Sequence, residues 1–351
     1  RTVVHLDGTT GGPITTATRL DGLTITDGHA NGPMAAGPRA ENGGGLYCDG
    51  LGSSNACNPT LVNVGLRNNH ASSSGGGLRL DGRNGGDASP VIVNAVFRSN
   101  TSASEGGAIY ADGLSSQPTI VNALIIENHA DGKGGGLLNL DTDRTTLTNV
   151  TFWGNTAAEG GAIYNWKTSL GEGLQIRNAV FLDNGDTTSG AEIVNDSGAA
   201  VVRHALIAGG CPAGADCGDG STIVTADPKF VDTSDPDGAD DAFATSDDGL
   251  RVTIGSPAVN AGDDTALPAD AADVDGDDDT SESLPIDLTS AERVQDGTVD
   301  LGAYEGAVDP VRTYHVDAST GDDANPGRSW NQAFATLTKA LDVATGNDEI
   351  W

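Results

Sequence analysis

The sequence predicts an all-β fold, a parallel β-helix, and three observations carry that prediction. The same words return at steps of roughly 28 residues, the mark of a repeat architecture. Each repeat holds two or three short runs rich in Val, Ile and Phe, and no helical period lies between them. Glycine pairs and asparagines break the runs at fixed places. Such a unit cannot bury an apolar face alone, but a stack of units can. Each repeat is then one rung, about 4.8 Å from the next. Leucine-rich repeats, the rival solenoid, need a leucine spacing that is missing here.

The first word family is "NGGGLYC" (42–48), "SGGGLRL" (74–80), "SEGGAIYADG" (104–113), "KGGGLLNL" (133–140) and "AEGGAIYNW" (158–166). Glycine adopts the positive φ of a sharp turn without steric cost, and a bare Cα lets the neighbouring rung approach. The residue that follows (Leu46, Leu78, Ile109, Leu137, Ile163 and a weaker Ile193) is predicted to point inward. Tyr47, Tyr110 and Tyr164 come next and are predicted to form an outward stripe with Arg79 and Leu138. That stripe serves cross-rung packing, or binds glycans or a neighbouring filament.

The second family is "LVNVGLRNN" (61–69), "IVNAVFRSN" (92–100), "IVNALIIEN" (120–128), "LTNVTFWGN" (147–155) and "IRNAVFLDN" (176–184). Its first asparagines, Asn63, Asn94, Asn122, Asn149 and Asn178, fall in one column. We expect them to be the inner ladder, their amides hydrogen-bonded up the stack at a bend. The closing asparagines, Asn69, Asn100, Asn128, Asn155 and Asn184, form a second column suited to left-handed turns. His70 and His129 follow two of these and read as turn decoration.

Charge and cysteine usage narrow the setting. With 18 basic against 50 acidic residues, the net charge of −32 repels nucleic acid and anionic membrane and suits cation-rich surroundings. No stretch approaches the ~20 apolar residues of a membrane span. Cys48/Cys57 and Cys211/Cys217 are two local pairs, expected to be disulfides rather than free thiols, which implies an oxidising, extracellular or cell-surface location. The chain starts at Arg1 and shows no signal peptide, so a processed or excerpted piece is expected.

The two word families resemble the GGA[ILV] and FxxN repeats of the chlamydial polymorphic membrane proteins. The matching words are "GGAI" at 106–109 and 160–163, and "FRSN", "FWGN" and "FLDN" at 97–100, 152–155 and 181–184. Those are surface-exposed passengers implicated in adhesion, and their membrane-embedded barrel has no counterpart here. "DPKFVD" (227–232), "GSPAVNAGDD" (255–264) and "VDLGAYEG" (299–306) are similar to the closing region of secreted right-handed β-helix proteins of the choice-of-anchor Q type, on the pectin-lyase-like solenoid. Residues 314–351 look like the opening of such a protein.

The expected organisation is therefore rungs over 1–225, a closing cap region with acidic loops over 226–308, and a strand plus amphipathic helix over 309–351. Phe334, Leu337, Leu341 and Ala344 would share one face of that helix. Because the closing motif precedes the opening one, 309–351 is expected to start a following module or to cover the first rung of a second copy, giving an end-to-end fibre.

The chemistry-bearing candidates are few. "DAADVDGDDDTSE" (270–282) places Asp273, Asp275, Asp277 and Asp279 in alternation around Gly276, a pattern suited to calcium, which takes six to eight oxygens from a flexible loop. "DPDGADD" (235–241) is a weaker version. A lyase-type site needs clustered acids for calcium and a basic proton abstractor, but Arg67, Arg79, Arg98 and Lys133 fall at different places in their rungs. Paired carboxylates for glycoside hydrolysis stay open. Asn100, Asn149 and Asn195 match the glycosylation acceptor pattern, with Asn149 expected to be inaccessible. The functional expectation is an extracellular or cell-surface structural and adhesive protein, partnered by its own copies, by glycans or by another cell's surface. The alternative is a secreted polysaccharide lyase or glycoside hydrolase.

Overall fold

Each word family becomes one strand of a continuous coil. The computed structural model describes residues 1–351 except 33–39, 168–171, 189, 199, 296, 308–312, 328 and 345–348. The glycine words give a short-strand sheet, stacked in the order Val4–Asp7, Leu46–Asp49, Leu78–Asp81, Ile109–Asp112, Leu137–Leu140, Ile163–Trp166 and Ile193–Ser197. The asparagine words give a long-strand sheet: Thr60–Arg67, Val91–Arg98, Thr119–Ile126, Arg144–Trp153, Gly173–Leu182 and Ala200–Ile207. Arg19–Asp21 and Thr24–Thr26 flank it at one end and Ile223–Val224 at the other. Two-residue strands from His29–Ala30 to Gly185–Asp186 make a third, narrow sheet. Every pairing in these three sheets is parallel, and six successive laps contribute a strand to all three. The architecture is an all-β parallel β-helix.

Register explains the apolar spacing. Leu46, Leu78, Ile109, Leu137, Ile163 and Ile193 pair in one column and are buried inside the coil. In the long sheet the inward columns are Leu61–Ile92–Ile120–Leu147–Ile176 and Leu66–Phe97–Ile125–Phe152–Phe181. The last two rings stack at 4.9 Å between centroids. Each such side chain contributes about 1.5–3 kcal/mol when buried, so repetition along the stack makes the core. The glycines act at two positions. Gly106 takes φ +64°, and a Cβ on Gly107 would lie 2.3 Å from the Gly135 carbonyl oxygen of the next rung.

The first asparagine column ladders at a bend as expected, Asn94 donating to Asn63, Asn122 to Asn94 and Asn178 to Asn149 at 3.3, 3.1 and 3.5 Å, but the column enclosed in the coil is the closing one. Asn69, Asn100, Asn128 and Asn155 are fully buried inside the coil and form the inner ladder. The Nδ2 of each donates to the Oδ1 of the next, at 3.0, 2.9, 2.9 and 2.8 Å, ending on Asn184. The same amides also donate to carbonyls one rung below, such as Leu66 O and Phe97 O. The left-handed turn sits one residue earlier, at Asn68, Ser99, Glu127, Gly154 and Asp183. Conversely, Asn63, Asn94, Asn122, Asn149 and Asn178 are themselves left-handed, with φ of 47–54°. They bend the long strand and reset its alternation, so Leu61 and Val64 both face inward. A further inner ladder runs Asn139–Asn165–Asn195, at 2.8 and 2.6 Å, in a column that is apolar in earlier rungs.

Residues 226–306 add no rung. They fold back as a largely irregular cover over the outer face of the long sheet. Before the bend, Ala272, Leu284 and Val274 pack on Val62, Val93 and Val121. After it, Leu250, Leu288, Ala303 and Tyr304 pack on Leu124 and Ile126. Asn122, Asn149 and Asn178 are buried by this cover, donating to Ile286 O, Asp300 O and Asp263 O. Fully buried Arg293 pins it, donating to Asn122 Oδ1, Ala303 O, Gly302 O and Glu305 Oε2.

Residues 307–351 form a separate compact unit together with 253–255. In it Thr313–Tyr314 pairs in parallel with Glu349–Ile350. The helix spans Leu337–Val343, capped by Thr336, whose side chain accepts from Lys339 N. Ala340 and Phe334 are buried on Tyr314, with Val343 and Ala344 beside them, whereas Leu337 and Leu341 are exposed. The apolar face of this helix is thus 340/343/344 and not the expected set through Leu337 and Leu341.

Candidate functional site

Two places gather functional side chains: the outer face of the short sheet and the acidic loop of the cover. On the first, strict alternation turns every residue after the inward one outward. Tyr47, Arg79, Tyr110, Leu138 and Tyr164 consequently occupy one column. They are buried rather than displayed. The Arg79 guanidinium lies 3.7 Å from the Tyr110 ring centroid, and Tyr47 Oη donates to Asp81 Oδ2 at 2.5 Å. Asp81 also accepts from Arg83 at 2.7 Å. Burial opposes ionisation of Asp81, but the Arg83 hydrogen bonds and the Arg79 charge hold its carboxyl below the ordinary value. Neighbouring Asp112 lies 3.5 Å from Arg79 but 3.7 Å from Arg83, without the close Arg83 pairing of Asp81, and burial pushes it up to about 6.

Along the same face a cavity of about 240 Å³ is lined by Glu105, Lys133, Leu140, Tyr164, Trp166 and Asp196. Lys133 Nζ donates to Tyr164 Oη at 2.6 Å, and Tyr164 Oη donates to Asp196 Oδ2 at 2.7 Å. Although burial alone would lower Lys133, its bond to the phenol holds it above the ordinary value, and burial raises Tyr164. Both shifts favour the protonated forms, a charged amine and a neutral phenol.

The acidic loop is held by its neck. Asp270 N donates to Glu282 O, and Leu284 N donates to Pro268 O, both at 2.9 Å, around an antiparallel Ala269–Ser283 bridge. Within the loop, carboxylate oxygens of Asp270, Asp273 and Asp275 lie within 4.8 Å of one another, as do those of Asp275, Asp277 and Glu282. Asp279 belongs to neither group; its Oδ1 accepts from Ser281 N and Oγ. Burial, with the charges of Asp275 and Asp273, raises Asp270, and burial followed by the Asp277 and Asp275 charges raises Glu282. A third cluster, His5, Asp7 and Asp49, already spends its groups locally: Asp7 accepts from Thr9 and Thr10, and His5 meets Asp49 at 3.4 Å.

The profile described as "Right handed beta helix region" matches residues 45–230, just over half of the chain. The chain belongs to the right-handed β-helix family. No curated protein matches it. The match covers the laps from Leu46 onward and stops where the cover begins.

Within this β-helix the remaining sequence candidates take definite places. Cys48–Cys57 is a disulfide in the core of the coil, and Cys211–Cys217 is a second one. Asn100, read as a glycosylation candidate, is fully buried in the inner ladder with its Nδ2 committed to Asn128 and Leu66, so it offers no acceptor. Asn195 is half-buried, and its Nδ2 donates to Gly214 O at 2.9 Å. Sequence reasoning missed Arg293, Asp270 and Glu282. A lone arginine inside an acidic stretch was the available signal for the first.

Proposed function

We propose that this right-handed β-helix protein is an extracellular or cell-surface structural and adhesive element that associates with copies of itself. One observation carries the reading: most of the long sheet's outer face, which would wall a substrate groove, is taken by the chain's own cover, leaving a cavity of about 300 Å³ beside Asn63, Arg67, Asn94, Arg98 and Phe243. On the short sheet the outward cations Arg79, Arg83 and Lys133 are tied to Asp81, Asp112 and Tyr164. Two disulfides favour an oxidising compartment. The C-terminal unit carries exposed Trp330, Leu337, Leu341 and Trp351, an apolar set suited to contact with a second copy. The GGAI and FxxN words and the closing motifs resemble surface-exposed relatives of this fold, which agrees. Electron microscopy and sedimentation of the purified chain at about 0.15 M salt should show end-to-end assemblies that an L337D/L341D variant cannot form. A monodisperse monomer, or reproducible product release from a panel of acidic and neutral polysaccharides, would overturn the proposal.

A further inference from the structure

We infer that the loop between Asp270 and Glu282 is a calcium site, with Asp270, Asp273, Asp275, Asp277 and Glu282 as ligands, and that calcium fastens this part of the cover to the long sheet. The two oxygen groups share Asp275, and their 4.8 Å limit is about twice a calcium–oxygen distance of ~2.4 Å, so one ion can bridge any two members of a group and small side-chain movements bring in the third. The decisive side chain is Asp270. It is 1% exposed, its Oδ2 accepts from Val274 N, and its Oδ1 has no donor among the described residues. Glu282 Oε1 is buried with no donor in the same way. A buried carboxylate oxygen without a partner is costly, so two of them on members of these carboxylate groups call for a cation.

No lysine or arginine lies between residues 270 and 282 to supply it, and Arg19, which reaches the loop at Ala272 O, is paired with Asp21 at 2.7 Å. An all-oxygen set on a glycine-containing loop suits a hard ion with flexible geometry, hence calcium before magnesium or zinc. The loop is also coupled mechanically. Ala272 and Val274 lie inside it and Leu284 just beyond it, and all three sit on Val62, Val93 and Val121. Arg19 of the first lap donates to Ala272 O. Ordering the carboxylates therefore orders the apolar contacts between them.

Calorimetric titration of calcium into the full chain at about 0.15 M NaCl should give saturable binding, and calcium should raise the melting temperature. D270N/E282Q should weaken binding at least tenfold and remove the thermal shift. D278N/D279N, whose carboxylates lie outside both groups, should keep both. E282Q alone, at a half-buried position, should show the loss in weaker form if the double variant fails to fold. Absence of saturable binding, or equal weakening by D278N/D279N, would overturn the site, the latter by showing diffuse attraction to an acidic surface.

Discussion

At the residue scale, the stability of this coil depends on which asparagine is enclosed. Asn128 Oδ1 receives both Asn100 N and Asn100 Nδ2, while its own Nδ2 reaches Asn155 Oδ1 and Phe97 O. Truncation leaves several buried groups unpaired at once, each costing about 1–3 kcal/mol. We expect N128A to lose roughly 3–5 kcal/mol in denaturant unfolding, and a loss below about 1 kcal/mol would contradict the ladder. Sequence alone showed two equally regular asparagine columns. The distinguishing signal was the residue before the closing asparagine, which varies as Asn68, Ser99, Glu127, Gly154 and Asp183 because it is only a turn. The enclosed asparagine cannot vary so freely, because its amide serves two rungs.

Asp112 gives a pH signature at the same scale. Its neighbours are Arg79 and Arg83, which favour the charged form, and Asp81 and Asp141, which oppose it. Burial is the largest influence and sets the folded value near 6, above the ordinary 3.8. The folded state then binds this proton more tightly than the unfolded state. Asp112 consequently withdraws stability as pH rises from about 4 through 6, and the full penalty is present at neutral pH. D112N removes the titration. Relative to wild type, it should gain about 1–2 kcal/mol between pH 4 and pH 7.5 in paired melts. A difference between the two proteins that does not move with pH contradicts this.

At the scale of elements, glycines that look alike in the sequence differ in what surrounds them. Gly107 lies against backbone of the adjacent rung, so G107A must push two rungs apart and should cost several kcal/mol, on the order of an overpacked core. Gly154 takes φ +67° with no atom nearer than 3.9 Å to a built Cβ. G154N should be tolerated within about 0.5 kcal/mol, because asparagine accepts left-handed backbone. Equal losses from both would show that rung spacing is not the constraint. The strand words were legible because apolar columns repeat at every lap. The Asn139–Asn165–Asn195 ladder was not, because it begins midway along a column that opens with Leu6, Cys48, Leu80 and Ala111.

At the scale of the molecule, local repetition and long-range closure separate cleanly. Repeats reveal contacts about one lap apart, and these gave the coil. The cover has few regular strands, and its anchoring contact, Arg293 to Asn122, spans 171 residues. No periodicity encodes such a contact, so residues 226–308 read as a cap at the end of the stack rather than a layer along its flank. The same blindness hid Asp270 and Glu282, which are brought together by pairing at the loop neck. An alternating aspartate pattern drew attention to Asp279 instead, whose carboxylate is turned to Ser281.

The layer along the flank is the claim on which groove occupancy and calcium coupling both rest. Hydrogen exchange of the intact chain tests it most directly. Gly302 N donates to Asn178 O, Ala303 N to Thr151 Oγ1 and Asp263 N to Asn178 Oδ1, so these cover amides are bonded to the rungs themselves. They should exchange over hours, together with the core amides of Thr119–Ile126 and Gly173–Leu182. Exchange of 260–306 within seconds, while the rungs stay protected, would mean that the segment hangs free of the coil.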